Sequence, residues 1–275
     1  MRNALLASIA SLVLAIPAAA QHQDIQVQSF DDNGMQRLRT GTGDFFNPGQ
    51  PPQYEIRLFT QAMGDGGDPG ETINPGFNAF DNDLPAGALL SFNVLDALRV
   101  WNPSNEDFED IASTRMFIKL FTSSVATPTV ADEVVGGFPF EQVSGDGSAH
   151  AHVLFELENP FEQGIFLLQW EIAINAAGVE PSLPVFILFV SGTVDQAEID
   201  AAEAFMQAQI DAENACPGDA NGDGETTTAD ITFIVSNLGA GAPGASGTPG
   251  DVNGDGETTT ADITFAVSNL GTLCG

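Results

Sequence analysis

The sequence predicts a mainly β protein: an antiparallel β-sandwich body, then a connecting helix and a small α-helical module. Three observations carry this. Short runs rich in Val, Ile and Phe recur through residues 21–194 and are separated by Gly, Pro, Asn and Asp clusters. Residues 195–213 change abruptly to Ala, Glu and Gln, which favour helix. Residues 219–239 (DANGDGETTTADITFIVSNLG) and 251–271 (DVNGDGETTTADITFAVSNLG) are near-identical copies of one unit.

In chain order, residues 1–20 carry Arg2, an apolar stretch from Ala4 to Ile16 and the exit Ala18-Ala19-Ala20. This is the pattern of a signal peptide, and it places the mature chain outside the cytoplasm, secreted or at the cell surface. No later run approaches the ~18 apolar residues of a membrane span. In the body the strand candidates are Ile25–Phe30, Tyr54–Phe59, Ala88–Val94, Arg115–Phe121, His150–Leu157, Ile165–Ile174 and Val185–Val190. Segments 65–70 and 74–76 read as loops, and Leu95–Val100 as a helical turn or a strand end. With Asp195 as N-cap, residues 195–215 form the connecting helix, and Ile199, Ala202, Phe205, Met206 and Ile210 give it an apolar stripe that packs on the sandwich.

The duplicated unit spans the C-terminal module, residues 216–275. Each copy opens with alternating side-chain oxygens: Asp219, Asn221, Asp223, then Gly224, Glu225 and a closing Asp230; and Asp251, Asn253, Asp255, then Gly256, Glu257 and Asp262. A hard cation takes six to eight oxygens at about 2.3–2.6 Å, and alternate residues of a tightly wound loop can deliver them. Two calcium ions are therefore expected. Carboxylates this crowded would repel one another without a cation. Apolar residues at i, i+3, i+4 and i+7 (Ile231, Ile234, Val235, Leu238; Ile263, Ala266, Val267, Leu270) predict a helix after each loop, stopped at Gly239 and Gly271. Cys216-Pro217-Gly218 and Pro249-Gly250 leave no helix before either loop. Residues 240–250 read as a flexible tie between the copies.

This loop-then-helix duplication resembles the type I dockerin module. The resemblance implies two calcium ions, a compact helix pair and docking onto a cohesin-like domain of a scaffold or cell-surface assembly. By position, Thr228, Ala229, Thr260 and Ala261 would contact the partner. Two positions depart from the family pattern. Val235-Ser236 and Val267-Ser268 replace its usual basic pair, and Thr226 and Thr258 its usual apolar residue at loop position 8. The body resembles β-rich exported bacterial proteins of unknown function that carry C-terminal sorting or dockerin tails, through NPGF at 74–77, FNVLDALRVWN at 92–102, HAHVLFEL at 150–157 and PVFILF at 184–189.

Cys216 and Cys274 flank the module, and in an oxidising compartment they are read as one disulfide, with free thiols or intermolecular pairing as alternatives. Closing about 59 residues would contribute on the order of 4 kcal/mol. The chain carries 7 basic and 38 acidic residues, a net charge of −31, and Lys119 is its last basic residue. A field of that sign excludes nucleic acid and anionic lipid as partners and favours divalent cations.

In the body, His150-Ala151-His152 would place two imidazoles on one strand face, with Asp146 and Glu156 near in sequence, an arrangement able to share a zinc or copper ion. The alternative is a surface histidine pair. Catalytic signatures are absent: no G-x-S-x-G, no phosphate loop with Lys and no H-E-x-x-H. The leading expectation is a non-catalytic docked protein. Against it stand a polysaccharide-degrading enzyme or carbohydrate binder tethered through the module, with Trp101, Trp170 and Tyr54 as sugar-face candidates although Trp170 within FLLQWEIAI reads rather as a core residue, and an exported zinc- or copper-binding protein.

Overall fold

A computed structural model of the chain describes residues 24–32, 34–43, 51–64, 68–214, 216–221, 225–242, 248–253 and 255–271. Residues 1–20, expected to be a signal peptide, Asp223, Gly224 and Cys274 lie outside the described residues, as do 65–67 of the first loop and 243–247 of the tie.

The body is built of three β-sheets around one apolar core. A six-stranded sheet is organised on the hairpin Asp24–Asp32 and Met35–Gly43, which pair antiparallel along their full length, with Phe77–Ala79 and Ala149–Ala151 added beyond the first strand. A four-stranded sheet runs through Ser123–Ala126, Met116–Leu120, Leu154–Leu157 and Glu71–Thr72. A seven-stranded sheet centres on Gly164–Ile174, flanked by Leu89–Val94 and Val185–Ser191, with Leu58–Ala62 at its edge.

Strand alternation explains why these runs are so apolar. Phe166, Leu168, Trp170 and Ile172, with Val185, Ile187 and Phe189, face the main core, whereas the intervening Ile165, Leu167, Phe186 and Leu188 belong to a second cluster. That second cluster is closed by helix α1 (Gln196–Asn214), whose Ala202, Met206 and Ile210 are buried and whose Ile199 and Phe205 pack against it. The helix and its stripe are thus as the sequence predicts. Trp170, fully buried, joins the layers: its ring lies 5.3 Å from that of Phe77 in the six-stranded sheet and 5.6 Å from that of Phe155 in the four-stranded sheet.

Several local expectations change. Most pairings are antiparallel, but Asp24–Asp32 pairs parallel with Phe77–Ala79, Met35–Gly43 with Val179–Glu180, and Val185–Ser191 with Leu58–Ala62. The segment 54–59 is not one strand: Glu55 takes φ 64°, so Gln53–Tyr54 pairs with Met35–Gly43 while Leu58–Ala62 crosses to another sheet. His150–Leu157 divides likewise at 152–153 between two sheets. Residues 99–100 are a short strand against Phe166 and Leu167, not a helical turn.

The named aromatic side chains do not share a face. Trp170 lies in the main core, Trp101 is buried against Phe108 and Phe205 beside α1, and Tyr54 stacks under the Arg39 guanidinium at 4.1 Å. Burial, with the Asp83 carboxylate adding to it, pushes the Tyr54 hydroxyl from 10.0 up to about 12. Because the chain has one tyrosine, absorbance near 295 nm should report a single ionisation close to 12 in the folded protein and about 10 in denaturant. A folded-state midpoint near 10 would contradict the burial of Tyr54 at this sheet edge.

Candidate functional site

The second loop of the C-terminal module folds back on itself around its acids. In the second loop both carboxylate oxygens of Asp251 accept backbone N–H groups, from Asp255 at 3.2 Å and Gly256 at 2.8 Å. Asn253 Oδ1 accepts Asp255 N–H at 2.9 Å, and Asp255 Oδ1 accepts Glu257 N–H at 2.9 Å. These bonds curl the backbone so that the oxygen side chains sit along its inner side. Gly256 makes the turn at φ 93°, a conformation that only glycine adopts freely. In the first loop Asp219, Asn221, Glu225 and Asp230 are among the described residues.

The closing acids have a second role. Asp230 and Asp262 are fully buried, and each is the N3 residue of a helix: α2 (Thr228–Ser236) and α3 (Thr260–Ser268), with Thr227 and Thr259 as N-caps of complete capping boxes. Asp230 Oδ2 accepts Thr227 N–H at 2.7 Å, and its Oδ1 accepts Ala220 and Asn221 N–H at 2.8 and 3.2 Å. Asp262 repeats this with Thr259 at 2.7 Å, Val252 at 3.1 Å and Asn253 at 3.2 Å. One short carboxylate therefore caps its own helix and ties the start of its own loop. Burial alone would raise the Asp230 carboxyl; the amide hydrogen bonds from Thr227, Asn221 and Ala220 outweigh it and hold the group below its usual range. The T-x-x-D pattern at 227–230 and 259–262 is the sequence signal for this dual role.

The copies lock reciprocally. Gly239, after α2, donates its N–H to the carbonyl of Thr258 at 2.9 Å, and Gly271, after α3, donates to that of Thr226 at 2.8 Å. Thr226 and Thr258 are fully buried, and their hydroxyls donate to the carbonyls of Pro217 and Pro249 at 2.8 and 2.7 Å. Threonine thus keeps position 8 in the interior by satisfying its own hydroxyl. The beginning of the tie is not loose, since Gly241 forms a β-bridge with Glu257. Of the apolar residues that predict the helices, Ile234 and Ala266 are the buried ones; Val235, Leu238, Val267 and Leu270 stay between 44% and 50% exposed. Thr228, Ala229, Thr260 and Ala261 are exposed in the first turns.

The donor set suits a hard divalent cation: carboxylate, amide and carbonyl oxygens, with no histidine or cysteine from Asp251 to Asp262. Asp251, Asn253, Asp255, Glu257 through its carbonyl and Asp262 would hold one ion, and the corresponding residues of the first copy a second.

His150 and His152 do lie together, with ring centroids 5.1 Å apart. The acids near them in sequence do not join them. Asp146 turns onto Ser148, and Glu156 pairs with Lys119 in the four-stranded sheet. The carboxylate at the histidines is Asp24, 3.6 Å from His150 Nδ1.

Residues 217–270 match the family model of the dockerin type I domain. No curated protein and no solved structure matches the chain. Among the described residues no helix is long and apolar enough to cross a membrane.

Proposed function

We propose that this is an exported, non-catalytic protein whose C-terminal dockerin module binds two structural calcium ions and docks the β-rich body onto a cohesin-bearing scaffold or cell-surface partner. The observation that carries this reading is the duplicated acidic loop in which a buried aspartate, Asp230 or Asp262, ends the loop and starts the helix. Calcium, by neutralising the crowded carboxylates, orders both helices at once. A disulfide between Cys216 and Cys274 would close the ends of the module.

The two copies present matching surface groups, Val235 with Val267 on the helices and Leu238 with Leu270 just past their ends, all about half exposed, with Thr228-Ala229 and Thr260-Ala261 exposed in the first turns. No basic side chain interrupts this face, because the chain has none beyond Lys119. An apolar, uncharged patch of this kind fits a protein partner. Surface plasmon resonance against a panel of immobilised cohesin domains should show binding in calcium that disappears with EGTA. Substituting Thr228, Ala229, Thr260 and Ala261 together by aspartate should weaken it at least tenfold. Absence of binding to every cohesin in calcium would reject the docking reading. Pull-down on insoluble polysaccharides separates it from the carbohydrate readings: retention with sugar release marks an enzyme, and retention alone a binder.

A further inference from the structure

We propose that Asp24, His150 and His152 form a binding site for one divalent transition-metal ion of the zinc class, in the body and independent of the calcium module. The sheet register builds it. Ile25, Phe77 and Ala151 are aligned across three strands and face the core. The residues one step away, Asp24, Gly76 and His152, therefore form a row on the opposite face, and Gln26, Asn78 and His150 form the next row. Ligand atoms of Asp24, His150 and His152 all lie within 4.8 Å of one another.

Two of the three ligands are held by a second group. His152 Nδ1 sits 2.9 Å from the carbonyl oxygen of Ile73. A carbonyl can only accept, so Nδ1 carries the proton and Nε2 keeps its lone pair for a metal. Asp24 is buried; its Oδ1 accepts the Gly76 N–H at 3.2 Å while Oδ2 is the oxygen 3.6 Å from His150. The His152 ring occupies the space that glycine leaves: a Cβ on Gly76 would stand 2.4 Å from His152 Cε1 and 2.7 Å from Asp24 Oδ1.

In the adjoining row Asn78 donates to Gln26 Oε1 at 2.8 Å, and Gln26 donates to Asp83 at 2.9 Å. The buried Oδ1 of Asn78, register partner of His150, has no hydrogen-bond partner among the described residues. A water carried by the ion is one donor able to supply it. Two imidazoles and one carboxylate, with His150 on the exposed side, leave at least one coordination position for solvent. Imidazole nitrogen selects a transition ion over calcium, so the site would not compete with the C-terminal loops.

The test is calorimetric titration of Zn²⁺ into the full chain in excess calcium, paired with the visible spectrum of the Co²⁺ form. We expect one equivalent of Zn²⁺ and cobalt ligand-field bands of a four- or five-coordinate site. His150→Ala, at an exposed position, and Asp24→Asn, which keeps the acceptor for Gly76, should each lower affinity at least tenfold, the loss that even outer-shell groups cause. Gly76→Ala should do the same by displacing the imidazole. No Zn²⁺ binding, or binding and cobalt bands unchanged in His150→Ala and Asp24→Asn, would overturn the assignment and leave a surface histidine pair beside an aspartate.

Discussion

Replacing Asp230 or Asp262 by alanine is expected to unfold the C-terminal module and to abolish high-affinity calcium binding in both loops, not only in the altered one. The local loss is large because each carboxylate does several things at once. It is half of a capping box, which contributes about 1 kcal/mol, and it satisfies backbone N–H groups at the start of its loop that would otherwise lack acceptors, at about 1–3 kcal/mol each where they stay buried. The loss spreads because the copies are cross-tied through Gly239 to Thr258 and Gly271 to Thr226. Among the described residues the module's fully buried apolar side chains are Ile234 and Ala266, too small a core to hold one copy folded alone. Asp230→Asn, retaining one acceptor oxygen, should fall between wild type and alanine. Calcium calorimetry on each variant checks this; an alanine variant that keeps one normal site and full helix content would contradict the coupling of the two copies.

The largest effect in the body is expected at Trp170. Its truncation to alanine removes a ring in contact with both facing sheets, in a position with no exposed surface. Such cavities cost about 3–5 kcal/mol, and for a unit of this size ~4 kcal/mol corresponds to a drop in Tm of about 10 °C. Trp170→Phe should cost less than half as much. It leaves a smaller void, and it removes an indole N–H that is buried with no partner among the described residues. Thermal melts followed in the near ultraviolet would decide it. Equal losses for the two substitutions would mean that packing between the sheets does not dominate at this position.

What could be read from the sequence follows from how local each signal is. The connecting helix and the two helices of the C-terminal module are each encoded within about twenty consecutive residues, and their spacing is enough. The long central strands were legible because burial on both faces leaves runs such as GIFLLQWEIAI and VFILFVS almost without polar residues. Met35–Gly43 was not, since MQRLRTGTG carries no apolar run; it is a strand because every residue from Met35 to Gly43 pairs with its neighbour in the hairpin. His150 and His152 were visible as an alternating pair, but Asp24 was not. A parallel pairing to Phe77–Ala79 and an antiparallel one from there to Ala149–Ala151 bring it over, and no spacing in the chain announces either. The expected strand 54–59 failed through a single residue, Glu55, whose positive φ turns the chain from one sheet to the other.

The central claim is that calcium folds the C-terminal module. The most direct test is calorimetric titration of calcium into chelator-treated protein, with circular dichroism recorded before and after. The account predicts two bound ions per chain and a gain of helix as they bind, with the β signal of the body unchanged. Helix content that is the same with and without calcium, or no binding at all, would contradict it.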